Sequence, residues 1–224
     1  MNHWCRAPRL VARGVDRICD ECHLDERRGA CTVAFMSAYP VVYRQTPAVD
    51  RSRLTVFFRF IMVIPHLIWS MFYAFAAIVV VFIAWFAIMF TGRYPAGMYE
   101  FVAGYARFST RLLGYMYLVT DEFPPFDGGE HPKYAVQVRI PPPKESYSRL
   151  TTFFRIFLLI PVYILQYIFT LWIYAVSIAI WFVAVITGKT STGLVSAESF
   201  PLAYLARSYA YAYLLTDEWP PLEA

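Results

Sequence analysis

Residues 52–126 and 148–222 are one segment written twice, at a constant offset of 96 and without a gap. Ser52-Arg53-Leu54-Thr55-Val56-Phe57-Phe58-Arg59 returns as Ser148-Arg149-Leu150-Thr151-Thr152-Phe153-Phe154-Arg155, and Thr120-Asp121-Glu122-Phe123-Pro124-Pro125 as Thr216-Asp217-Glu218-Trp219-Pro220-Pro221. Of the 75 aligned pairs 25 are identical. Such a repeat constrains architecture more than any local propensity, because both copies have to adopt one unit and then pack.

The unit is apolar. Phe60–Gly92 and Ile156–Gly188 contain no Asp, Glu, Lys or Arg, and each exceeds the roughly 20 residues needed to cross a hydrocarbon core. The whole chain is 58% hydrophobic and only 16% charged, against about a quarter charged in soluble domains. A chain of 224 residues has no core large enough to hide two such stretches, so the fold expected is an all-α integral membrane protein made of a tandem duplicated helical module. The net charge of +4 comes from Lys and Arg flanking the apolar stretches. No basic run with interleaved polar positions points to nucleic acid.

Three regions follow. Residues 1–35 hold all four cysteines and a scatter of charge. They read either as sequence upstream of a start at Met36 or as a disordered or metal-binding tail. Residues 36–128 and 129–224 are the two membrane repeats. Each opens with an alternating apolar stretch, Tyr39–Arg44 and Tyr134–Arg139, suited either to a short strand that can pair with its counterpart or to a bare extended linker. Next comes an amphipathic helix, Arg53–Ile64 or Arg149–Ile160, started by a serine cap. Pro65 and Pro161 are expected to redirect the chain into the main spans Leu67–Phe90 and Val162–Ile186. Gly92 and Gly188 supply the caps at their ends.

A third segment in each copy, Met98–Val119 and Leu194–Leu215, is long enough to cross but contains Arg107, Arg111 and Arg207, the candidate intramembrane polar residues. With each copy a helical hairpin, the heavily basic segments fall on one side, as the positive-inside rule asks. That arrangement predicts four spans, a multi-pass protein with both termini and the middle linker in the cytoplasm; the alternative is that the third segments lie in the interface, since an intramembrane arginine is costly.

Arg53, Arg59, Arg149 and Arg155 flank the apolar side of the amphipathic helices, where guanidinium groups can reach anionic lipid headgroups. The hairpin also brings Asp121, Glu122, Asp217 and Glu218 to the face that carries those arginines, as candidate interfacial ion pairs. Cys19-Asp20-Glu21-Cys22-His23 has haem-attachment spacing, and Cys5 and Cys31 add soft ligands for zinc. A pattern this short also arises by chance, and neither cofactor nor metal is expected. The spans carry no carboxylate for a proton or cation relay. There is no phosphate-binding glycine loop, nucleophile elbow or His-Glu-x-x-His pair, so no enzymatic activity is expected.

The motifs Leu54–Arg59, Ile64-Pro65, Trp85-Phe86, Phe90–Pro95 and Leu118–Pro125 occur in order, and most recur in the second copy. In this combination the chain resembles the bacterial membrane domain of unknown function DUF4389. The second copy departs at Lys189-Thr190-Ser191, where the first has Arg93-Tyr94-Pro95. The resemblance implies a bacterial membrane protein and transfers no catalytic residues. The functional expectation is an accessory or scaffold protein of the inner membrane, with anionic lipids and a protein subunit or second copy as partners. The alternative is a small pseudo-twofold transporter or channel, its polar pathway drawn from Arg107, Arg111, Arg207, Gln166, Thr170 and Ser177.

Overall fold

The computed structural model of the chain describes residues 39–46 and 52–222. The readings placed on residues 1–35, the cysteine pattern among them, lie outside the described residues. From Tyr39 onward the two copies belong to one compact unit. Its elements are β1 (Val42–Gln45), α1 (Arg53–Met62), α2 (Ile64–Thr91), α3 (Ala96–Met116), β2 (Val136–Arg139), α4 (Arg149–Thr187), α5 (Thr192–Ser196) and α6 (Ser199–Ala212).

Local chemistry sets the helix ends. The Ser52 hydroxyl accepts from the Thr55 amide at 3.4 Å and that of Ser148 from the Thr151 amide at 3.3 Å, satisfying donors that the first turn leaves open. At the far ends Gly92 (φ 73°) and Gly188 (φ 72°) take the left-handed conformation, and their amides bond the Ile88 and Ala184 carbonyls.

The prolines do not redirect the chain as expected. Pro161 lies inside the unbroken 39-residue helix α4. Pro65 sits in the first turn of α2, separated from α1 by Val63 alone. The Val63 amide bonds the Arg59 carbonyl, and the Val63 carbonyl accepts from Leu67, each at 2.9 Å. A proline removes one ladder bond, and the surrounding turns carry the helix through. Each copy therefore begins with a rod, α1–α2 in one and α4 in the other.

The rods run antiparallel. The Arg53 side chain, at the start of the first, lies over Gly188 at the end of the second, and Arg149 lies over Gly92. Between them the Trp85 indole donates to the Thr152 carbonyl at 3.0 Å and the Tyr147 amide to Gly92 at 2.9 Å. The strands obey the same symmetry. They pair antiparallel with Tyr43 opposite Val138, Val42 opposite Arg139 and Arg44 opposite Gln137. Tyr43 and Val138 occupy equivalent places in their copies, so a pseudo-twofold axis passes through that pair. Equivalent residues meet reciprocally, as at an isologous dimer interface.

Three layers result. The two-stranded sheet packs on α3 and α6, and these pack on the rods. Only a narrow stripe of each rod turns inward: Val56, Arg59, Val63, His66, Ala77, Ala84 and Ile88 on one, Thr152, Arg155, Val162, Ile173, Ser177, Ile180 and Ala184 on the other. Spacings of three, four and seven place each stripe on one helical face. Residues such as Val80, Trp85, Phe169 and Trp181 flank the stripe half-buried, and the exposed remainder of the rods is almost wholly apolar.

Among the described residues two helices, not four, are long and apolar enough to cross a membrane: Ile64–Thr91 and Arg149–Thr187. The segments expected as second spans form α3 and α6, whose Tyr99, Phe108, Tyr115, Tyr204 and Tyr211 are fully buried. Their apolarity serves the interior. The antiparallel rods also overturn the one-sided distribution of basic ends, since the beginning of one rod lies at the end of the other.

Gly92→Ala and Gly188→Ala should each lower stability by about 1–2 kcal/mol, the cost of a left-handed L-residue. Gly188→Ala should lose more, because its new Cβ would come within 3.1 Å of Arg53 Nε. Thermal unfolding in detergent checks both, and an unchanged midpoint would contradict the left-handed caps.

Candidate functional site

The Thr-Asp-Glu-aromatic-Pro-Pro motif follows the ends of α3 and α6, where each helix stops on the same device. Leu118 (φ 64°) and Leu214 (φ 62°) turn the chain in the left-handed region, and Val119 and Leu215 donate back to Gly114 and Ala210 at 2.9 Å. This is a glycine-type helix end built with leucine. The leucine side chains are buried, which offsets the backbone strain.

The turn aims carbonyls at a single guanidinium. Arg155 Nη1 donates to Tyr211 O at 2.8 Å and Thr216 O at 2.9 Å, and its Nη2 to Asp217 Oδ1 at 2.9 Å. Arg59 repeats this with Tyr115 O, Thr120 O and Asp121 Oδ1. Each guanidinium also stands 4.3 Å from a tyrosine ring centre, Tyr115 or Tyr211. Arginine alone among the cations can serve three acceptors and a ring face together.

Arg59 is 3% exposed and Arg155 2%, which removes both from the expected set of headgroup ligands. Their distance in sequence from the motifs they bind hides this, for without the tertiary fold an arginine in an amphipathic helix reads as a surface cation. Of the expected ion-pair residues, Asp121 and Asp217 meet these arginines. Glu122 and Glu218 do not. Glu122 is exposed, and the Glu218 carboxylate lies 3.5 Å from Lys144. Arg53 and Arg149 remain exposed, close to the negative end of the opposite rod, where a cation is favoured.

The arginines expected inside the membrane have polar partners outside the rods. Arg107 lies 3.8 Å from Glu100 and 3.6 Å from Glu130. Arg111 donates to the Gly129 carbonyl and lies 3.8 Å from Asp127. Arg207 sits over the Tyr39 ring, 5.7 Å from its centre. A hydrogen bond from His131, 2.6 Å away, holds the Asp127 carboxyl below the usual carboxylate range. A depressed carboxyl favours the folded state above its unfolded value, and that contribution is lost as the pH falls through its folded value.

Among the described residues one feature belongs to the first copy. Its chain continues from Pro124 to Glu130 along the flank of α2. His66 Nε2 donates to the Pro124 carbonyl at 2.7 Å, and its ring stacks on Phe126 at 3.8 Å between centres. The Trp69 indole donates to the Phe126 carbonyl at 3.0 Å. Gly128 then passes so close to Gly104 that a Cβ on it would come within 2.5 Å of the Gly104 Cα. Val162 replaces His66 in the second copy. Glycines at 104 and 128 are what permits this close approach. A second feature joins α4 to the residue that precedes α6: Ser177 donates to the buried Glu198 carboxylate at 2.6 Å. Glu198 went unread in the sequence, where the repeat carries Val102 at the equivalent place.

Among the described residues no cluster of His, Cys, Asp and Glu has the makings of a metal site. What the geometry holds is two closed guanidinium clamps and a broad apolar exterior.

DUF4389, a domain of unknown function, matches the chain twice, over residues 53–127 and 149–223. The chain belongs to this family and consists largely of two copies of its domain. No curated protein matches the chain, and no solved structure does.

Removing one member of a buried ion pair leaves the other without compensation, commonly at about 3–5 kcal/mol. Asp121→Ala should therefore destabilise by about 3 kcal/mol, the low end because the carboxylate is partly accessible. Glu122→Ala should stay within about 0.5 kcal/mol. Denaturant unfolding in detergent distinguishes them, and equal losses would sink the assignment of the clamp to the aspartate.

Proposed function

We propose that this chain is an accessory or scaffold protein of the bacterial inner membrane, working through lipid and protein contacts and without catalytic chemistry of its own. The observation that carries this reading is the exposed surface of the rods. Leu54, Phe60, Phe75, Phe82 and Phe90 on one, and Leu150, Phe157, Ile168, Phe182 and Ile186 on the other, are exposed from end to end. A contiguous apolar surface of this extent is far larger than a soluble monomer presents, and acyl chains are its natural cover. Anionic headgroups are the expected polar partners, met by the exposed Arg53, Arg93, Arg149 and Lys189 at the rod ends.

The transporter alternative loses support. Several groups of its polar pathway already have partners: Arg107 and Arg111 bind the 127–130 stretch, Thr170 donates to Gln166 O of its own helix at 2.8 Å, and Ser177 bonds Glu198.

Fractionated cells should retain the protein in membranes through alkaline carbonate and release it only with detergent. Recovery in the soluble fraction would overturn the proposal. Arg53, Arg93, Arg149 and Lys189 together changed to Gln should weaken retention of anionic lipid at least tenfold, since each interfacial cation contributes about 1 kcal/mol. Lipid mass spectrometry after mild detergent extraction measures this, with zwitterionic lipid as the control.

A further inference from the structure

Accepting the membrane reading above, we infer that the two rods do not cross the bilayer but lie along it, sunk into one leaflet, with the sheet layer standing in water on the same side. The partner surface is thus the acyl-chain region of a single leaflet.

Three independent observations meet in this arrangement. The first is length. Helix α4 has 39 residues, a contour of about 58 Å at 1.5 Å per residue. Exposed apolar side chains run from Leu150 to Ile186 on it and from Leu54 to Phe90 on its twin. The hydrocarbon core is about 30 Å thick. A straight rod would need a tilt of roughly 55° to hide that length, outside the 0–40° range of crossing helices. Along the plane, no length limit applies.

The second is the placement of charge. Asp127 and Gly128 pass beside Tyr73 and Phe101. Tyr73 lies 20 residues from Arg53 and 18 from Thr91, the middle of the first rod. Asp127 is 64% exposed and Glu130 72%. Were the rod to cross, these carboxylates would sit near the bilayer midplane, where exposed charge is most costly. With the rod flat, they point up into water beside the sheet.

The third is the pairing of the rod ends. Because the rods are antiparallel, Arg53 and Lys189 mark one end of the pair and Arg93 and Arg149 the other. In crossing rods these ends would occupy opposite compartments, and either orientation would leave a cationic end outside, against the positive-inside bias. Flat rods bring all four cations to one headgroup layer. The narrow inward stripe fits as well, since a helix sunk below the headgroups meets acyl chains on its sides and underside.

Labelling decides between the two. In a chain with Cys5, Cys19, Cys22 and Cys31 changed to Ser, Arg93→Cys, Asp127→Cys and Lys189→Cys should all react with an impermeant maleimide from one side of sealed vesicles. Reaction of Arg93→Cys and Lys189→Cys from opposite sides would overturn the flat placement while leaving the membrane reading intact. Spin labels at Phe60→Cys, Phe75→Cys and Phe90→Cys give a second measurement. Similar shallow depths are expected, and a maximum depth at Phe75→Cys would again mean crossing. Free access of water-soluble relaxants to all three, with the protein recovered from the soluble fraction, would instead sink the membrane reading itself.

Discussion

The fold depends on two buried guanidinium groups. Arg59 and Arg155 are buried at 3% and 2% exposure, and each closes its module by holding carbonyls beside a left-handed leucine turn. A buried cation is costly unless its donors find acceptors. Two main-chain oxygens and one carboxylate take the Nη donors and a tyrosine face covers the guanidinium plane, while the buried Arg155 Nε has no hydrogen-bond partner among the described residues. The interaction therefore specifies more than it stabilises: only when α3 or α6 ends at the right turn do these acceptors converge on the arginine. The Thr-Asp pair of each copy is best understood as the complement of this cation.

Duplication then supplies what one module lacks. A single copy would present one strand without a partner and one third helix with an uncovered flank. Joined about a pseudo-twofold axis, the strands complete each other at Tyr43 and Val138, α3 and α6 pack together, and each rod places a cation over the carboxyl end of the other. The two copies also differ where the symmetry is broken. His66, Phe126 and Gly128 give the first copy an extended segment along α2. Ser177 and Glu198 give the second a buried hydrogen bond between α4 and the residue before α6.

Much of this architecture was legible in the chain, and the reason is local. Ser52 and Ser148 signal helix starts because a short hydroxyl side chain can reach an open amide two or three residues on. Gly92 and Gly188 signal ends because glycine takes positive φ without a Cβ clash. The alternation in Tyr39–Arg44 and Tyr134–Arg139 shows the strands. The inward turn of Arg59 and its choice of Asp121 over Glu122 were not legible in this way. Each joins residues whose proximity is created only when the chain closes on itself. Pro161 misled for a related reason: the proline rule concerns one hydrogen bond, whereas a long packed helix has many others to keep its course.

By itself the sequence determined a duplicated apolar module, its caps, its strands and its family, since repeats, end signals and hydropathy are properties of neighbouring residues. Tertiary structure decided that the rods oppose each other, that α3 and α6 belong to the interior, and which arginines stay exposed and which face carbonyls. Those outcomes turn on direction and partner: an apolar helix satisfies the hydrophobic effect equally against acyl chains or against another helix, and only packing selects between them.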